Sequence, residues 1–161
     1  MSKMDYEIIK LAFTIITGIA TTGTFIYFLL DRKPRCKINT RISTTDIGRV
    51  PTPDIIIFIT NTGKVDLFIH AVWIISSQME DSFYVRFSQR NMNTGSIDLH
   101  PKRRISTRVY VHDIQPLFKK DINKKTAPTI QVKVVLESGE WFHSKKLSIP
   151  PELLEAKSIQ S

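Results

Sequence analysis

Histidine, serine and cysteine are the residues of this chain that could serve catalysis or metal binding, and their spacing decides whether they do. The four histidines are His70, His100, His112 and His143. None has the i, i+4 spacing that places two imidazoles on one helix face for zinc, and Cys36 is the only cysteine. Ser106, His112 and Asp113 could form a hydrolase triad, although any chain of this length offers such sets. Because no nucleophile elbow, phosphate-binding glycine loop or paired-carboxylate motif is present, we expect a non-enzymatic protein without metal or cofactor and keep a hydrolase as an alternative.

Lysine and arginine outnumber the acidic residues by 23 to 15, which gives a net charge of +8. A basic surface suits anionic lipid, nucleic acid or an acidic protein, and it also suits plain solvated loops. Few aromatic residues lie between the cations to stack on bases, so nucleic acid is the less favoured partner. The candidate basic contacts are Lys102, Arg103, Arg104, Arg108, Lys119, Lys120, Lys124 and Lys125.

A run of twenty uncharged residues, from Leu11 to Leu30, has the length of a membrane-crossing helix. At about 1.5 Å per residue it spans roughly 30 Å, which matches the hydrocarbon core of a bilayer. A signal peptide has a shorter apolar region and a small-residue cleavage site, and a core helix is rarely apolar all round. We therefore predict an uncleaved anchor. Its main apolar residues are Leu11, Phe13, Ile15, Ile16, Ile19, Phe25, Ile26, Phe28, Leu29 and Leu30.

The cations that flank this run predict its direction. Lys3 and Lys10 precede it, with acidic residues beside them, and a larger cluster follows it. That cluster contains Arg32, Lys33, Arg35, Lys37 and Arg41. Because the more positive flank stays in the cytoplasm, we predict a single-pass protein of the cell's inner membrane with its soluble domain in the cytoplasm.

Small residues at Thr14, Gly18 and Thr22 recur every four positions along the predicted anchor. Such a stripe lets two membrane helices approach closely and could build a homo-oligomer, although threonine and glycine are also common in membrane helices. Cys36 follows the anchor, where palmitoylation is one interpretation and a half-buried strand cysteine is the other. A single cysteine fits a reducing compartment.

Beyond the anchor, short alternating stretches separated by turns predict about seven antiparallel strands. The clearest hairpin joins Asp54–Thr60 to Val65–Ser76 through the turn Asn61-Thr62-Gly63-Lys64, with a loop before it at Thr44–Pro53. In Val65–Ser76, alternation places Leu67, Ile69, Ala71 and Trp73 on one face. The other predicted strands are Cys36–Ser43, Phe83–Phe87, Ile105–Val111, Thr129–Leu136 and Trp141–Ile149.

One short helix is predicted from Asp113, as its cap, to about Lys120. The chain therefore reads as mainly β. An anchor segment occupies residues 1–35, a seven-stranded β-sandwich occupies 36–150, and a tail occupies 151–161.

Three segments carry a resemblance that spans most of residues 8–150. They are the Phe58–Ile69 run with its Asn-x-Gly turn, the Leu99-His100-Pro101-Lys102 segment, and Val132–Pro150 with its Ser138-Gly139 turn. On these, the chain resembles small, mostly uncharacterised bacterial proteins that join one membrane helix to an immunoglobulin-like β-sandwich. That family usually has Pro-Gly where this chain has Pro101-Lys102. The resemblance implies the architecture but no catalytic residue, since a fold does not fix an activity.

These observations favour a membrane-tethered, non-enzymatic module for protein interaction or scaffolding. Its partners would be the lipid bilayer and a protein of unknown identity. Immunoglobulin-like domains offer edge strands and loops to partners, and a tether raises their local concentration at the membrane. The alternative is an adaptor or sensor that contacts anionic lipid or nucleic acid through the basic loops.

Overall fold

The computed structural model describes residues 3–47, 50–76, 82–87, 95–118 and 127–155. Within these ranges a long N-terminal helix precedes a domain built mainly of strands. The elements in chain order are α1 (Lys3–Asp31), β1 (Cys36–Ile47), β2 (Val50–Asn61), β3 (Leu67–Ser76), β4 (Ser82–Tyr84), β5 (Ile97–Leu99), β6 (Arg104–Tyr110), α2 (Val111–Ile114) with a 3-10 turn (Gln115–Phe118), β7 (Thr129–Leu136), β8 (Trp141–His143), β9 (Leu147–Ser148) and α3 (Pro151–Glu155).

Helix α1 is long and apolar enough over Tyr6–Asp31 to cross a membrane, and none of that stretch is buried inside the protein. All ten apolar residues assigned to the anchor are exposed, each by at least 48%. Four of its threonine hydroxyls donate to carbonyls four residues earlier, as Thr17 does to Phe13 at 2.8 Å. These internal hydrogen bonds leave the hydroxyls satisfied without water, as a hydrocarbon environment requires.

The strands form two sheets in which every pair is antiparallel. One sheet has the order β1–β2–β6, and the other has the order β4–β3–β7–β8, with β5 also on β3 and β9 also on β7. The two sheets share one core, in which Ile55, Ile57 and Ile59 of β2 and Val132 and Val134 of β7 are fully buried. Burying each such side chain stabilises the fold by about 1.5–3 kcal/mol.

The predicted hairpin between β2 and β3 is wrong, because the two strands lie in different sheets. β2 pairs with β1 and β6, whereas β3 pairs with β4, β5 and β7. The Asn61–Gly63 turn therefore carries the chain from one sheet across the core to the other. Both strands are apolar enough to need burial, and they achieve it by facing each other across the core instead of pairing side by side.

Asn61 fastens this crossing through its buried side chain. Its amide nitrogen donates to the Val65 carbonyl at 2.7 Å and to the Leu99 carbonyl at 2.8 Å. Its side-chain oxygen accepts from the Gly63 N–H at 2.9 Å. The backbone of Asn61 adds two bonds, donating to the Arg103 carbonyl and accepting from the Lys102 N–H, both at 3.0 Å. One residue thus joins the end of β2, the start of β3 and the β5–β6 turn.

A bulge in β3 makes the predicted faces of that strand wrong for the residues after it. The register with β7 shifts between Ile69 and Ala71, so His70 is the extra residue. Before the bulge Leu67 and Ile69 face the core, as predicted, but after it Val72 and Ile74 do so. Ala71 and Trp73 therefore lie on the opposite face from the one that simple alternation gives, because a bulge reverses the phase of a strand.

Other strand boundaries differ from the sequence prediction in ways that local bonding explains. The residues of the predicted Thr44–Pro53 loop that the structure describes extend β1 and β2, which pair from Cys36↔Asn61 to Ile47↔Val50. The predicted closing strand Trp141–Ile149 is split into β8 and β9, because the Ser144 hydroxyl accepts from the Val132 N–H and donates to the Lys145 carbonyl. With β5 added, the described residues contain nine strands instead of seven.

Near the C-terminal half, one prediction is confirmed and one is confirmed in part. β7 spans Thr129–Leu136 as predicted, with alternate residues from Ile130 onward buried. A short helix is present, but it starts at Val111 and continues as a 3-10 turn to Phe118. The predicted cap is wrong, because the N-cap is Tyr110 and Asp113 lies inside the helix. Ile114, Leu117 and Phe118 are buried.

Replacing Asn61 with alanine tests the crossing. The change leaves the Val65 and Leu99 carbonyls and the Gly63 N–H without their partner in a buried place, so we expect the free energy of unfolding to fall by about 3 kcal/mol. Asn39→Ala, at an exposed position of β1, is the matched control and should change stability by less than about 0.5 kcal/mol. Denaturant unfolding of the full chain in detergent measures both, and equal stabilities for the two variants would contradict this role for Asn61.

Candidate functional site

Three segments that are distant in sequence meet at the end of the domain from which α1 extends. The linker after α1 contributes the Arg35 carbonyl, which accepts from the Thr62 N–H at 2.9 Å. Gly63 lies so close to the linker that a Cβ there would approach the Arg35 backbone nitrogen to 3.2 Å. The β5–β6 turn joins through the two backbone bonds of Asn61, so all three segments form one surface.

Eight cations surround this end of the domain, and all of them are exposed. We name them the basic collar. They are Arg32, Lys33, Arg35, Lys37, Lys64, Lys102, Arg103 and Arg104. Three of the predicted basic contacts therefore belong to one surface with five cations from the linker, from β1 and from the turn after β2.

Two carboxylates lie within the collar, and each has a partner. Asp31, at the end of α1, accepts from the Lys64 ammonium at 2.6 Å. The hydrogen bond to Asp31 and the attraction of its charge raise the pKa of Lys64, so this lysine stays charged throughout the physiological range. Asp66 contacts His100 Nδ1 at 2.9 Å. The collar thus keeps a large excess of positive charge.

Aromatic rings support two of the collar cations. The guanidinium of Arg104 lies 4.3 Å from the centre of the Phe58 ring, and that of Arg32 lies 4.1 Å from the Phe28 ring. Both distances are within the range of a cation–π contact. Such a contact uses the face of the guanidinium and leaves its N–H groups at the edge for hydrogen bonds to an anion.

Arg108 does not belong to the collar, although sequence alone places it with Lys102, Arg103 and Arg104. It lies four residues further along β6, where its Nη1 donates to the Thr45 hydroxyl at 3.1 Å. Thr45 in turn donates to Asp54 at 2.8 Å, and Arg108 Nε lies 3.8 Å from the same carboxylate oxygen. Asp54 is fully buried and its other oxygen has no hydrogen-bond partner in the protein. Arg108 therefore serves to neutralise a buried charge.

The remaining candidate basic contacts lie outside the described residues. They are Lys119, Lys120, Lys124 and Lys125.

A groove lies between β6 and β4. Among the described residues β6 pairs only with β2, and β4 pairs only with β3, so both are edge strands of their sheets in this part of the chain. The groove between them has a volume of about 500 Å³. It is lined by Phe83, Tyr84, Val85, Arg86, Arg108, Val109 and Asp113. We name it the seam groove; it combines an aromatic wall with two arginines and one carboxylate.

The residues considered for catalysis are not assembled into a triad. His112 contacts Asp113 at 3.2 Å and stacks on Tyr110, but no hydrogen bond joins it to Ser106, which is exposed on β6. His100 pairs with Asp66, and His143 lies beside Trp141. In the part of the chain that the structure describes, no group of three His, Cys, Asp or Glu side chains could hold a metal ion.

Cys36 is the first residue of β1 and lies between the collar residues Arg35 and Lys37. Cys36 is partly buried against the core, and this burial raises the pKa of its thiol to about 11. At neutral pH the thiol is therefore protonated and a poor nucleophile.

Gly18 and Thr22 line a shallow apolar groove on α1, and the Thr14 hydroxyl is bonded to the Lys10 carbonyl. Helix association through this stripe stays a prediction.

Sequence reasoning identified single clusters of cations but missed how they combine. In the sequence, Lys64 lies in a predicted turn, and the linker cations indicate only the membrane orientation. The available signal was Asn61 before Gly63, because an asparagine in such a turn can bond to the backbone of its neighbours. Its third partner, the Leu99 carbonyl, is 38 residues away and has no local signature.

No family model and no curated protein matches this chain. Among solved structures, the chain is similar to the putative ApaA protein from Bordetella pertussis, with 13% identity and a TM-score of 0.32 over 73% of this chain and 89% of that one. It is also similar to the structural genomics target SoR45, with 15% identity and a TM-score of 0.34 over 82% of this chain and 98% of that one. Both likenesses are weak, so the interpretation of the site rests on its own geometry.

Proposed function

We propose that this protein is a non-enzymatic interaction module that α1 tethers to the inner membrane of the cell as a single-pass anchor. The two-sheet domain then belongs to the immunoglobulin-like class that the sequence resembles. The observation that carries the proposal is the exposure of the ten apolar anchor residues of α1, which have no protein core to cover them. Ten such residues contribute about 0.3–0.6 kcal/mol each to insertion, or roughly 3–6 kcal/mol together.

The orientation follows from the charges at the two ends of α1. Four collar cations, Arg32, Lys33, Arg35 and Lys37, follow the end of α1 within six residues and form the larger positive flank. Positive flanks stay on the cytoplasmic side during insertion. The domain is therefore proposed to lie in the cytoplasm, with the N-terminus on the opposite side of the membrane.

The seam groove is the proposed binding site for a protein partner. Open strand edges bind extended segments by main-chain hydrogen bonds, and neighbouring pockets provide specificity. Phe83 and Tyr84 offer apolar contact, whereas the exposed Arg86 favours a segment that carries carboxylates, since Arg108 is already engaged with Asp54. The groove lies toward the end of β6 that is remote from the collar, so a cytoplasmic partner can reach it.

Two lysines in the middle of α1 should abolish membrane insertion. Ile16→Lys with Ile19→Lys costs about 3 kcal/mol per residue at the helix centre and offsets the entire apolar gain. We expect the wild-type chain to stay in the membrane pellet after alkaline carbonate extraction and this variant to leave it. Ile16→Leu with Ile19→Leu is the matched control and should stay in the pellet. A wild-type chain that is extracted as readily as the lysine variant would refute the tether.

Reporter fusions test the orientation. An enzyme that is active only outside the cytoplasm, fused after Ser161, should give background activity, whereas the same enzyme fused before Met1 should be active. The reason is the charge difference between the two ends of α1. Strong external activity from the C-terminal fusion would reverse the proposed direction.

Arg86→Glu tests the seam groove. Because the change places a carboxylate opposite the acidic segment of a partner, we expect the recovery of that partner to fall by about tenfold after mild detergent solubilisation. Lys145→Glu makes the same change of charge on the opposite side of β7 and should leave recovery unchanged. Quantitative mass spectrometry of proteins that purify with the full chain gives the comparison; identical profiles for wild type and Arg86→Glu would exclude the groove as the binding site.

A further inference from the structure

We propose that the basic collar is a docking surface for the phosphate groups of anionic lipids, in the leaflet from which α1 emerges. This inference rests on the proposed membrane tether and adds a function to it. The collar then holds the domain directly on the headgroups instead of letting it pivot on the linker.

The position of the collar relative to α1 is the first argument. The apolar run ends at Leu30, and the first collar residue, Arg32, follows two positions later. The turn after β2 is held at the same level, because its Lys64 forms an ion pair with Asp31, the last residue of α1. The β5–β6 turn is held there by its backbone bonds to Asn61. When α1 spans a bilayer, the collar therefore lies at headgroup depth.

The charge balance of the collar is the second argument. Its carboxylates Asp31 and Asp66 already contact Lys64 and His100, so they do not neutralise the arginines. Arg32 and Arg104 stack on aromatic rings and keep their N–H groups at the edge. Arginine offers several donors in a planar fork that fits phosphate oxygens, and headgroup phosphates are the anions that this surface meets.

The backbone of Lys102 is the third argument. Its φ of 61° lies in the left-handed region, where glycine is the favoured residue and a lysine side chain is disfavoured. The turn would form more easily with glycine, so the lysine is held there at a conformational cost. Strain of this kind at an exposed cation indicates that its charge serves binding. Replacing Lys102 with glycine should therefore remove a charge from the collar without destabilising the turn, which separates binding from folding at this position.

Lipid is favoured over nucleic acid because of where the surface points. If α1 spans a bilayer, a nucleic acid would have to enter between the domain and the bilayer to reach the collar cations at the end of the domain from which α1 extends. The described collar also has few exposed aromatic side chains on which bases could stack. Headgroups already occupy that space and need no entry path.

The test uses the full chain in nanodiscs of phosphatidylcholine alone or mixed with phosphatidylglycerol. Energy transfer from the two tryptophans of the domain, Trp73 and Trp141, to a dansyl-labelled lipid reports how closely the domain lies on the disc. We expect higher transfer in the anionic discs, and we expect added salt to remove the difference. Inorganic phosphate in the buffer of neutral discs should not raise the transfer, which distinguishes the headgroup from the free ion.

Two variants and one control define the contribution of the collar. Lys102→Glu with Arg103→Glu should lower the ratio of docked to undocked domain by at least about 30-fold, since each cation near an anionic surface contributes roughly a fivefold effect. Lys102→Gly should lower that ratio by about fivefold while the midpoint of denaturant unfolding stays equal or rises. Lys145→Glu with Lys146→Glu makes the same charge change next to β9, away from the collar, and should leave docking within about twofold of wild type.

Several outcomes would overturn the proposal. Equal transfer in neutral and anionic discs would show that anionic headgroups do not attract the domain. An equal loss in the Lys145/Lys146 control would assign the effect to net charge alone. Unchanged docking by Lys102→Gly would remove the strained lysine from the argument and contradict its assigned role. A chain that fails to enter either type of disc would instead refute the tether itself, and the docking inference would fall with it.

Discussion

The buried side-chain amide of Asn61 needs hydrogen-bond partners, and this need constrains how the two sheets are arranged. A buried amide without partners costs several kcal/mol, so the fold must bring a donor and two acceptors to it. Those partners come from Gly63, Val65 and Leu99, and its backbone adds Lys102 and Arg103. Because the partners are spread over about forty residues, they come together only when both sheets are in place. The amide therefore selects one arrangement of the sheets from the many that apolar strands alone would allow.

The collar depends on the same constraint. Its cations are exposed and repel one another, so nothing in their own interactions would gather them at one end of the domain. The bonds of Asn61 and the contact of Gly63 with Arg35 fix the backbone that carries them. The energy that holds like charges together thus comes from the core and from buried hydrogen bonds. A surface built in this way is complete without a bound anion, and the proposed contact with lipid phosphates would relieve the repulsion.

The sequence pattern of hydrophobic and polar residues predicts the features that lie within single elements of the fold. The alternation of β7, the burial of Ile55 and Ile57, and the apolar exposure of α1 follow from periodicity and composition. The pairing of β2 and β3 could not be predicted, because an Asn-x-Gly turn looks the same in a hairpin and in a crossing between sheets. The bulge at His70 also has no signature in the sequence, and it reverses the faces of the residues after it. Three collar residues were found as a sequence cluster, whereas their union with Lys64 and the linker required the tertiary bonds of Asn61.

The short linker limits how far the domain can lie from α1, so the proposed headgroup contact can change mainly the orientation of the domain. Only four residues, Arg32 to Arg35, separate α1 from β1, so even a fully extended linker spans roughly 14 Å. If α1 spans a bilayer as proposed, the domain lies close to the membrane with or without lipid binding, and the proposed docking acts on its orientation. β6 runs from Arg104 in the collar to Tyr110, next to the groove residue Val109, a distance of roughly 20 Å for a strand of this length. With the collar on the headgroups as proposed, β6 runs away from the bilayer and holds the seam groove at a set distance from it. A partner then meets a groove that is already oriented, and less orientational freedom is lost when it binds.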